Sequence, residues 1–269
     1  MRCFSSFKGY SFRPCNWGDD LNKYFFEYAT GLKVAPLERK FPVRSYVMIG
    51  SILGSRNLNL NGSIVYGTGF MTSSDLAHGK PKQIFSVRGP LTRNVLLQQG
   101  IDCPENYGDP ALLLPMFYQP EVHSREAVAV IPNIGTFWDP CPLVDELVEK
   151  YHCKLVNMTR YEKWTDIIDA IASSSFVISE SLHGLIVAET YGIPSVWAEF
   201  IEHKPGRFNA EWSFKFRDFY ESIGKHNMTS LKLYEGFSFD ELLRMRESWQ
   251  PGEIDYPKLM EAFPFKHKA

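Results

Sequence analysis

The stretch FVISESLHGLIVAETYGIPSVW, from Phe176 to Trp197, decides the fold. Its first four residues form a short apolar run suited to a buried strand. The spacing of the apolar residues that follow predicts a helix over 182–191, which ends at Gly192. A second strand begins at Ser195. Units of this kind build parallel sheets, in which ligands bind at the carboxyl ends of the strands.

His183 lies in the first turn of that predicted helix. A helix start points unpaired N–H groups outward and carries partial positive charge, so it favours phosphate or carboxylate ligands. We therefore predict an anion-binding centre built around the imidazole. Its neighbours Glu180, Ser181 and Gly184 are candidate substrate-binding residues.

Strands and helices alternate through the second half of the chain. The patterns predict strands over 127–131 and 154–158 and helices over 145–151 and 164–172, all before the central unit. The first half alternates less regularly, and the polar segment 119–126 separates the two. We therefore predict an α/β fold of two Rossmann-like domains, with parallel sheets facing a central cleft. The predicted domains are 1–120, on the acceptor side and joined by the C-terminal helix 238–269, and 121–237, on the donor side.

Composition excludes several classes of protein. The chain has 269 residues, of which 44% are hydrophobic, and its formal charge of -2 gives no sign of a nucleic-acid partner. It has no apolar run of the ~20 residues that a membrane span needs, and its first residues lack the apolar core of a signal peptide. These features predict a cytoplasmic protein. The five cysteines are widely spread, without the pairwise spacing of a zinc site.

The motif Asn16-Trp-Gly-Asp19 leads into a helix, with Leu21, Phe25 and Tyr28 on one face. Acidic side chains near a helix start are favoured by its dipole, so Asp19 has two interpretations. It caps the helix, or it faces the cleft within reach of a sugar hydroxyl.

Glycines follow two predicted strands of the first half, at Gly50-Ser51 and at Gly67. Glycine directly after a strand lets another chain or a ligand approach the backbone closely. We include these three residues among the candidate substrate-binding positions. Neither motif alone identifies a ligand.

Arg88 stands at the carboxyl end of a third predicted strand, before a helix that begins at Pro90. A guanidinium there matches a carboxylate or phosphate with paired donors, and the alternative is an ion pair with a nearby acidic side chain. Asp109 precedes a proline and is typical of a turn and helix cap. It is also a candidate substrate-binding residue.

The segment 201–224 is rich in both charge and aromatic rings. Trp212, Phe216 and Phe219 have the spacing of one helix face that packs inward. Alternatively, the basic residues of the segment line a cleft for an anion. Those basic residues are Lys204, Arg207, Lys215 and Arg217.

Five motifs, taken in order, resemble the polysaccharide pyruvyl transferase family, in particular its bacterial exopolysaccharide pyruvyl (ketal) transferases. They are Asn16-Trp-Gly-Asp19, Ile49-Gly-Ser51, Val87-Arg-Gly-Pro90, Gly108-Asp-Pro-Ala-Leu112 and Ser179-Glu-Ser-Leu-His-Gly184. The resemblance covers about residues 16–200. It implies a GT-B-like fold, phosphoenolpyruvate as donor, a hydroxylated sugar as acceptor and no metal or other cofactor.

The resemblance also implies roles for single residues. His183 matches the family's catalytic histidine, and Arg88 and Asp19 match its motif positions. Many relatives carry arginine two residues before the histidine, where this chain has Ser181. Lys215, Arg88 or Lys204 must then supply the missing cation.

These residues suggest a mechanism in which His183 is the general acid and becomes protonated when the dianionic donor binds. Asp19 is the candidate general base. Two alternatives remain for His183: it only binds phosphate, or it hydrogen-bonds a local carbonyl.

Two other functions also remain open. One is a nucleotide-sugar glycosyltransferase with the same two-layer architecture. The other is a non-catalytic glycan- or nucleotide-binding module. If the acceptor is a lipid-linked oligosaccharide, the aromatic and basic stretch 212–220 is a candidate for peripheral contact with the inner membrane face.

Overall fold

The computed structural model describes residues 2–4, 16–31, 33, 45–137, 141–201 and 210–264, and these form two parallel sheets. The first sheet has the spatial order β1-β2-β3-β4, and all its strand pairs are parallel. A parallel bridge between Val87 and Tyr107 continues the pairing beyond β4. The strands are β1 (Arg2–Phe4), β2 (Ser45–Val47), β3 (Ile64–Tyr66) and β4 (Gln83–Ser86).

The second sheet has the order β6-β5-β7-β8-β9 and is also parallel throughout. Its strands are β5 (Val128–Ile131), β6 (Lys154–Leu155), β7 (Phe176–Ser179), β8 (Ser195–Phe200) and β9 (Leu231–Leu233). The prediction of strand over 154–158 was too long. The side chain of Asn157 accepts hydrogen bonds from the backbone N and the hydroxyl of Thr159, and this turn ends β6 early.

Nine α-helices surround the sheets in the described residues. They are α1 (Trp17–Thr30), α2 (Pro90–Gln98), α3 (Leu114–Phe117), α4 (Pro142–Glu149), α5 (Thr165–Ala172), α6 (Leu182–Thr190), α7 (Ser213–Ser222), α8 (Phe239–Ser248) and α9 (Tyr256–Glu261). The helix predicted over 145–151 begins at Pro142 instead, because proline is well suited to a first helical position. The other predicted helices of the second half agree within about two residues.

One hydrophobic cluster joins the two sheets. It contains Trp17 and Leu21 of α1 and Tyr66 of β3, together with Ile131 of β5 and Leu185 of α6. Because α1 and α6 share this core, their first turns are held in a fixed relation. The α/β architecture with parallel sheets is confirmed, whereas the GT-B-like placement of two domains about a cleft stays a prediction.

The C-terminal segment contacts both sheets. Leu242 of α8 packs in a cluster with residues of β8, and the Tyr66 hydroxyl of β3 donates to the carbonyl oxygen of Leu259 in α9 at 2.6 Å. The segment therefore ties the two halves together. The domain boundaries stay predictions, and residues 265–269 lie outside the described part.

Candidate functional site

The tight loop between β7 and α6 fixes the position of the imidazole. The backbone N of Ser181 donates to Ser179 Oγ at 3.0 Å, and that hydroxyl donates to the Ser181 carbonyl oxygen at 2.9 Å. Ser181 is the N-cap, and its hydroxyl accepts from the Gly184 backbone N at 3.4 Å. A side chain at Gly184 would lie 2.6 Å from Ser179 Oγ. Only glycine therefore lets α6 begin so close to the strand.

The imidazole of His183 packs against the first turn of α1. A Cβ atom built on Gly18 would lie 2.1 Å from His183 Nδ1 and 2.5 Å from Cε1. The Trp17 backbone N donates to the Met158 carbonyl oxygen at 2.9 Å, and its indole N–H donates to the Trp164 carbonyl oxygen at 2.7 Å, so α1 is anchored to the second half. Two helix starts thus converge on one imidazole.

His183 is neutral in the absence of a ligand. Burial, and then the charges of Lys215 and Arg88, lower the pKa of His183 from 6.5 to about 3. Its Nε2 atom has no accessible surface and no hydrogen-bond partner among the described residues. A buried polar atom without a partner costs stability, which marks this position for a functional role.

Replacing Gly18 with alanine is expected to displace the imidazole and lower turnover by roughly 10²-fold, since misplacement of a reacting group by about 1 Å has this effect. The NMR signals of His183 report the displacement directly. Gly135→Ala is the matched control for the His183 signals, because its new Cβ would lie 3.4 Å from Asn133 Oδ1, close to ordinary contact. Unchanged His183 signals and turnover in Gly18→Ala would contradict the positioning role.

Arg88 is fully buried, with 0% of its surface exposed. Its Nε donates to Asp218 Oδ2 at 3.0 Å, Nη1 to Ser51 Oγ at 2.6 Å and Nη2 to the Phe70 carbonyl oxygen at 2.5 Å. The ion-pair alternative is therefore the observed arrangement. Arg88 still acts on the site electrostatically, as its effect on the pKa of His183 shows. Its direct contact with a donor stays a prediction.

Lys215 is the partly accessible cation of the site. It lies in α7, and its Nζ is 5.0 Å from the ring centroid of Phe216. Burial and then the charge of Arg88 lower the pKa of Lys215 from 10.5 to about 8, while Asp19 opposes the shift. The three charged side chains therefore share one electrostatic environment with the imidazole. Of the other predicted cations, Lys204 and Arg207 lie outside the described residues, and Arg217 is exposed.

Asp19 and Asn16 lie on the α1 side of the site. The Asn16 amide donates to Asp19 Oδ2 at 2.8 Å, and only 8% of the Asp19 surface is exposed. Gly50 has a φ of +112°, and a Cβ built on it would lie 3.5 Å from Asp19 Oδ1. Asp19 therefore faces the carboxyl end of β2, and its catalytic role stays a prediction.

Three other candidate residues have clear structural contacts. Asp109 Oδ1 accepts from the Ala111 backbone N at 2.9 Å and begins a short 3-10 helix, so the cap interpretation is confirmed. Burial raises the pKa of Asp109 to about 7. Gly67 lies against Pro110, where a Cβ would come within 2.3 Å. The Glu180 carboxylate accepts from the backbone N atoms of Asn133 and Phe200. Their substrate contacts stay predictions.

The inward face predicted for the aromatic segment is confirmed in part. Phe216 and Phe219 are buried, but Trp212 is 40% exposed. Trp212 lies in a 3-10 turn before α7, so the helical spacing does not reach it. In α1, Leu21 and Phe25 of the predicted face are buried, and Tyr28 is 54% exposed.

Sequence reasoning missed Gly18 and Asp218. Gly18 stands inside the quoted Asn16–Asp19 motif, and a glycine in the first turn of a helix is the signal that was available. No helix within the described ranges is both long and apolar enough to cross a membrane. The same ranges hold no group of three or more His, Cys, Asp or Glu side chains arranged to bind a metal ion.

Comparison with known proteins gives a consistent result. The family model for polysaccharide pyruvyl transferase matches residues 20–199. Succinoglycan biosynthesis protein ExoV of Rhizobium meliloti (strain 1021) is 27% identical over 221 residues, which are 78% of this chain and 62% of the relative. Uncharacterized protein L143 of Acanthamoeba polyphaga mimivirus is 26% identical over 195 residues, 71% of this chain and 66% of the relative. The chain thus spans less than two thirds of either relative's length. No solved structure matches.

Proposed function

Because the chain belongs to the polysaccharide pyruvyl transferase family, we propose that it transfers the pyruvyl group of phosphoenolpyruvate to a glycan and forms a pyruvate ketal. The observation that carries the proposal is the imidazole of His183, whose Nε2 is buried without a partner beside two cations. The name of the Rhizobium meliloti relative supports a role in exopolysaccharide synthesis.

Phosphoenolpyruvate carries a phosphate and a carboxylate, so its site requires cations or N–H donors. The first turn of α6 supplies N–H groups, and Lys215 supplies an accessible ammonium group. The buried Arg88 guanidinium adds to the positive potential without needing to touch the ligand. We propose that Lys215 replaces the arginine that many relatives carry at the position of Ser181.

The proposed reaction begins when His183 transfers a proton to the methylene carbon of the donor. One sugar hydroxyl attacks the neighbouring carbon and loses its proton. A second hydroxyl of the same sugar then attacks that carbon as the C–O bond to phosphate breaks. One hydroxyl proton replaces the proton that His183 gave up, and the other leaves with the phosphate. The products are a cyclic ketal and inorganic phosphate.

The negative charges of the bound donor offset the charges of Lys215 and Arg88 that lower the pKa of His183. Donor binding therefore converts the imidazole into a general acid. Asp19, within electrostatic reach of Lys215, is the proposed base for the acceptor hydroxyl. We propose a GT-B-like arrangement about a cleft, in which the acceptor is a polysaccharide or its lipid-linked precursor.

The decisive experiment measures release of inorganic phosphate from phosphoenolpyruvate with and without a panel of oligosaccharide acceptors. Acceptor-dependent release is the expected result. Isothermal titration compares the binding of phosphoenolpyruvate with that of UDP- and GDP-sugars. Binding of a nucleotide sugar, together with no binding of phosphoenolpyruvate, would instead favour the glycosyltransferase.

Affinity for phosphoenolpyruvate is expected to fall by about tenfold between pH 7 and pH 9. The pKa of Lys215 is about 8, so over this interval the free protein loses the ammonium charge that the donor needs. Isothermal titration across the pH range measures the effect. Lys215→Arg is the matched control, because a guanidinium keeps its charge, so its affinity is expected to show only the smaller fall that protonation of His183 on donor binding produces. The same pH dependence in Lys215→Arg would contradict the assignment.

A further inference from the structure

A pocket opens beside Lys215 at the carboxyl end of the second sheet. Side chains from β8, α7 and the loop after β5 line it. They include Asn133, Trp197, Glu199, Trp212, Lys215 and Phe216. Lys215 lines this pocket and also acts electrostatically on His183. A ligand in the pocket would therefore lie next to the proposed reaction centre.

Aromatic rings form much of the pocket surface. Trp197 and Phe216 stack with centroids 4.5 Å apart and an interplanar angle of 10°, and both rings are buried, so they form a rigid base of the pocket. Trp212 adds an indole that is 40% exposed. Apolar rings with a few polar groups are the usual lining of small-molecule sites. The C–H face of a pyranose ring has the flat apolar shape that stacks on an exposed indole.

Two polar side chains of the pocket have unused hydrogen-bonding capacity. Asn133 Oδ1 accepts from the Gly135 backbone N at 2.9 Å, so its amide N–H groups remain as donors. The Glu199 carboxylate has no hydrogen bond or ion pair within the described residues. A sugar hydroxyl both donates and accepts, so it satisfies either group. The same carboxylate repels a polyanionic donor, which favours a neutral ligand here.

We propose that the acceptor pyranose stacks on the exposed indole of Trp212 at the mouth of this pocket, with its hydroxyls bonded to Glu199 and Asn133. The inference rests on the proposed function and identifies the second substrate's site. It places the acceptor beside the second sheet and not in residues 1–120, the acceptor side that the sequence predicts, and it assigns different sides of Lys215 to the two substrates. The anion lies toward His183, and the sugar lies toward Trp212.

Saturation-transfer difference NMR with methyl β-D-glucopyranoside and methyl β-D-galactopyranoside tests the proposal on the full chain. At least one glycoside is expected to give a signal with the wild type. Trp212→Ala is expected to weaken that binding by about tenfold, and so is Glu199→Gln, which keeps the shape of the side chain. Tyr28→Ala is the matched control, because it removes a more exposed aromatic ring elsewhere and leaves the signal unchanged.

Isothermal titration with phosphoenolpyruvate on the same variants separates the two proposals. Retained donor affinity in Trp212→Ala, with loss of the glycoside signal, supports the acceptor pocket. Donor binding by the wild type without any glycoside signal would overturn the pocket assignment alone. A glycoside signal that both Trp212→Ala and Glu199→Gln keep would also overturn it. Displacement of the glycoside by UDP in the wild type would overturn it in favour of a nucleotide pocket. Absence of donor binding by the wild type would overturn the proposed function and the acceptor assignment with it.

Discussion

Replacing His183 with asparagine is expected to lower turnover by about 10²–10⁴-fold, the range that general acid or base help contributes. Asparagine fits the first turn of α6 and keeps a polar group beside Gly18, so the fold is expected to persist. It cannot deliver a proton to the methylene carbon. The rate of acceptor-dependent phosphate release measures the loss, and circular dichroism checks the fold.

The partition between kcat and KM separates the two roles of this imidazole. A proton donor lowers kcat and leaves donor affinity nearly unchanged, whereas a mere phosphate ligand raises KM at constant kcat. The pKa of His183 provides an independent readout. NMR titration is expected to find it near 3 in the free protein, as burial and the adjacent cations dictate, and to find it raised once phosphoenolpyruvate is bound. Near-wild-type turnover in His183→Asn would remove the residue from the mechanism.

Local sequence signals were sufficient to predict the strand and the helix on either side of the loop before His183. The helix predicted over 182–191 is α6, Leu182–Thr190, and the strand before it is β7. Both depend on neighbours within a few residues: the apolar run, the Ser181 cap and the terminating glycine. Arg88 was likewise correctly placed at the end of β4 by the strand and the proline that flank it.

Local sequence signals could not predict which residues Arg88 and His183 contact in the fold. Asp218 lies 130 positions after Arg88, and their pairing depends on how α7 packs against α2. In the same way, the fit of the imidazole against Gly18 depends on two helix starts that are far apart in sequence. Periodicity assigns a side chain to one face of an element but does not identify what covers that face. The exposure of Trp212 illustrates this, because a turn interrupts the helical spacing before α7 begins.

Replacing Asp218 with alanine is expected to lower the free energy of unfolding by roughly 3–5 kcal/mol, the usual cost of leaving one charge of a buried pair uncompensated. Arg88 and Asp218 both have fully buried side chains. The carboxylate also accepts from the Thr92 backbone N at 2.8 Å and from the Thr92 hydroxyl at 2.6 Å. Alanine would leave all three donors without this partner. Urea denaturation measures the loss.

The matched control is the exposed ion pair of Arg244 and Glu241, in which Nη2 and Oε1 are 3.7 Å apart. Glu241→Ala is expected to cost less than about 1 kcal/mol, because water already solvates both charges. Equal losses in the two variants would show that burial does not set the energy of the Arg88 pair.

The Asp218 carboxylate affects both the stability of the fold and the position of Lys215 in the proposed donor site. Asp218 and Lys215 are both in α7, and a Cβ built on Gly89 would lie 1.8 Å from the Asp218 carbonyl oxygen, so α7 rests directly on the loop that carries Arg88. Without the ion pair, α7 loses the contact that fixes Lys215 relative to His183. Asp218→Ala is therefore expected to weaken phosphoenolpyruvate binding even under conditions where the variant is fully folded. A folded variant with wild-type donor affinity would show that Lys215 is positioned by the packing of Phe216 and Phe219 alone.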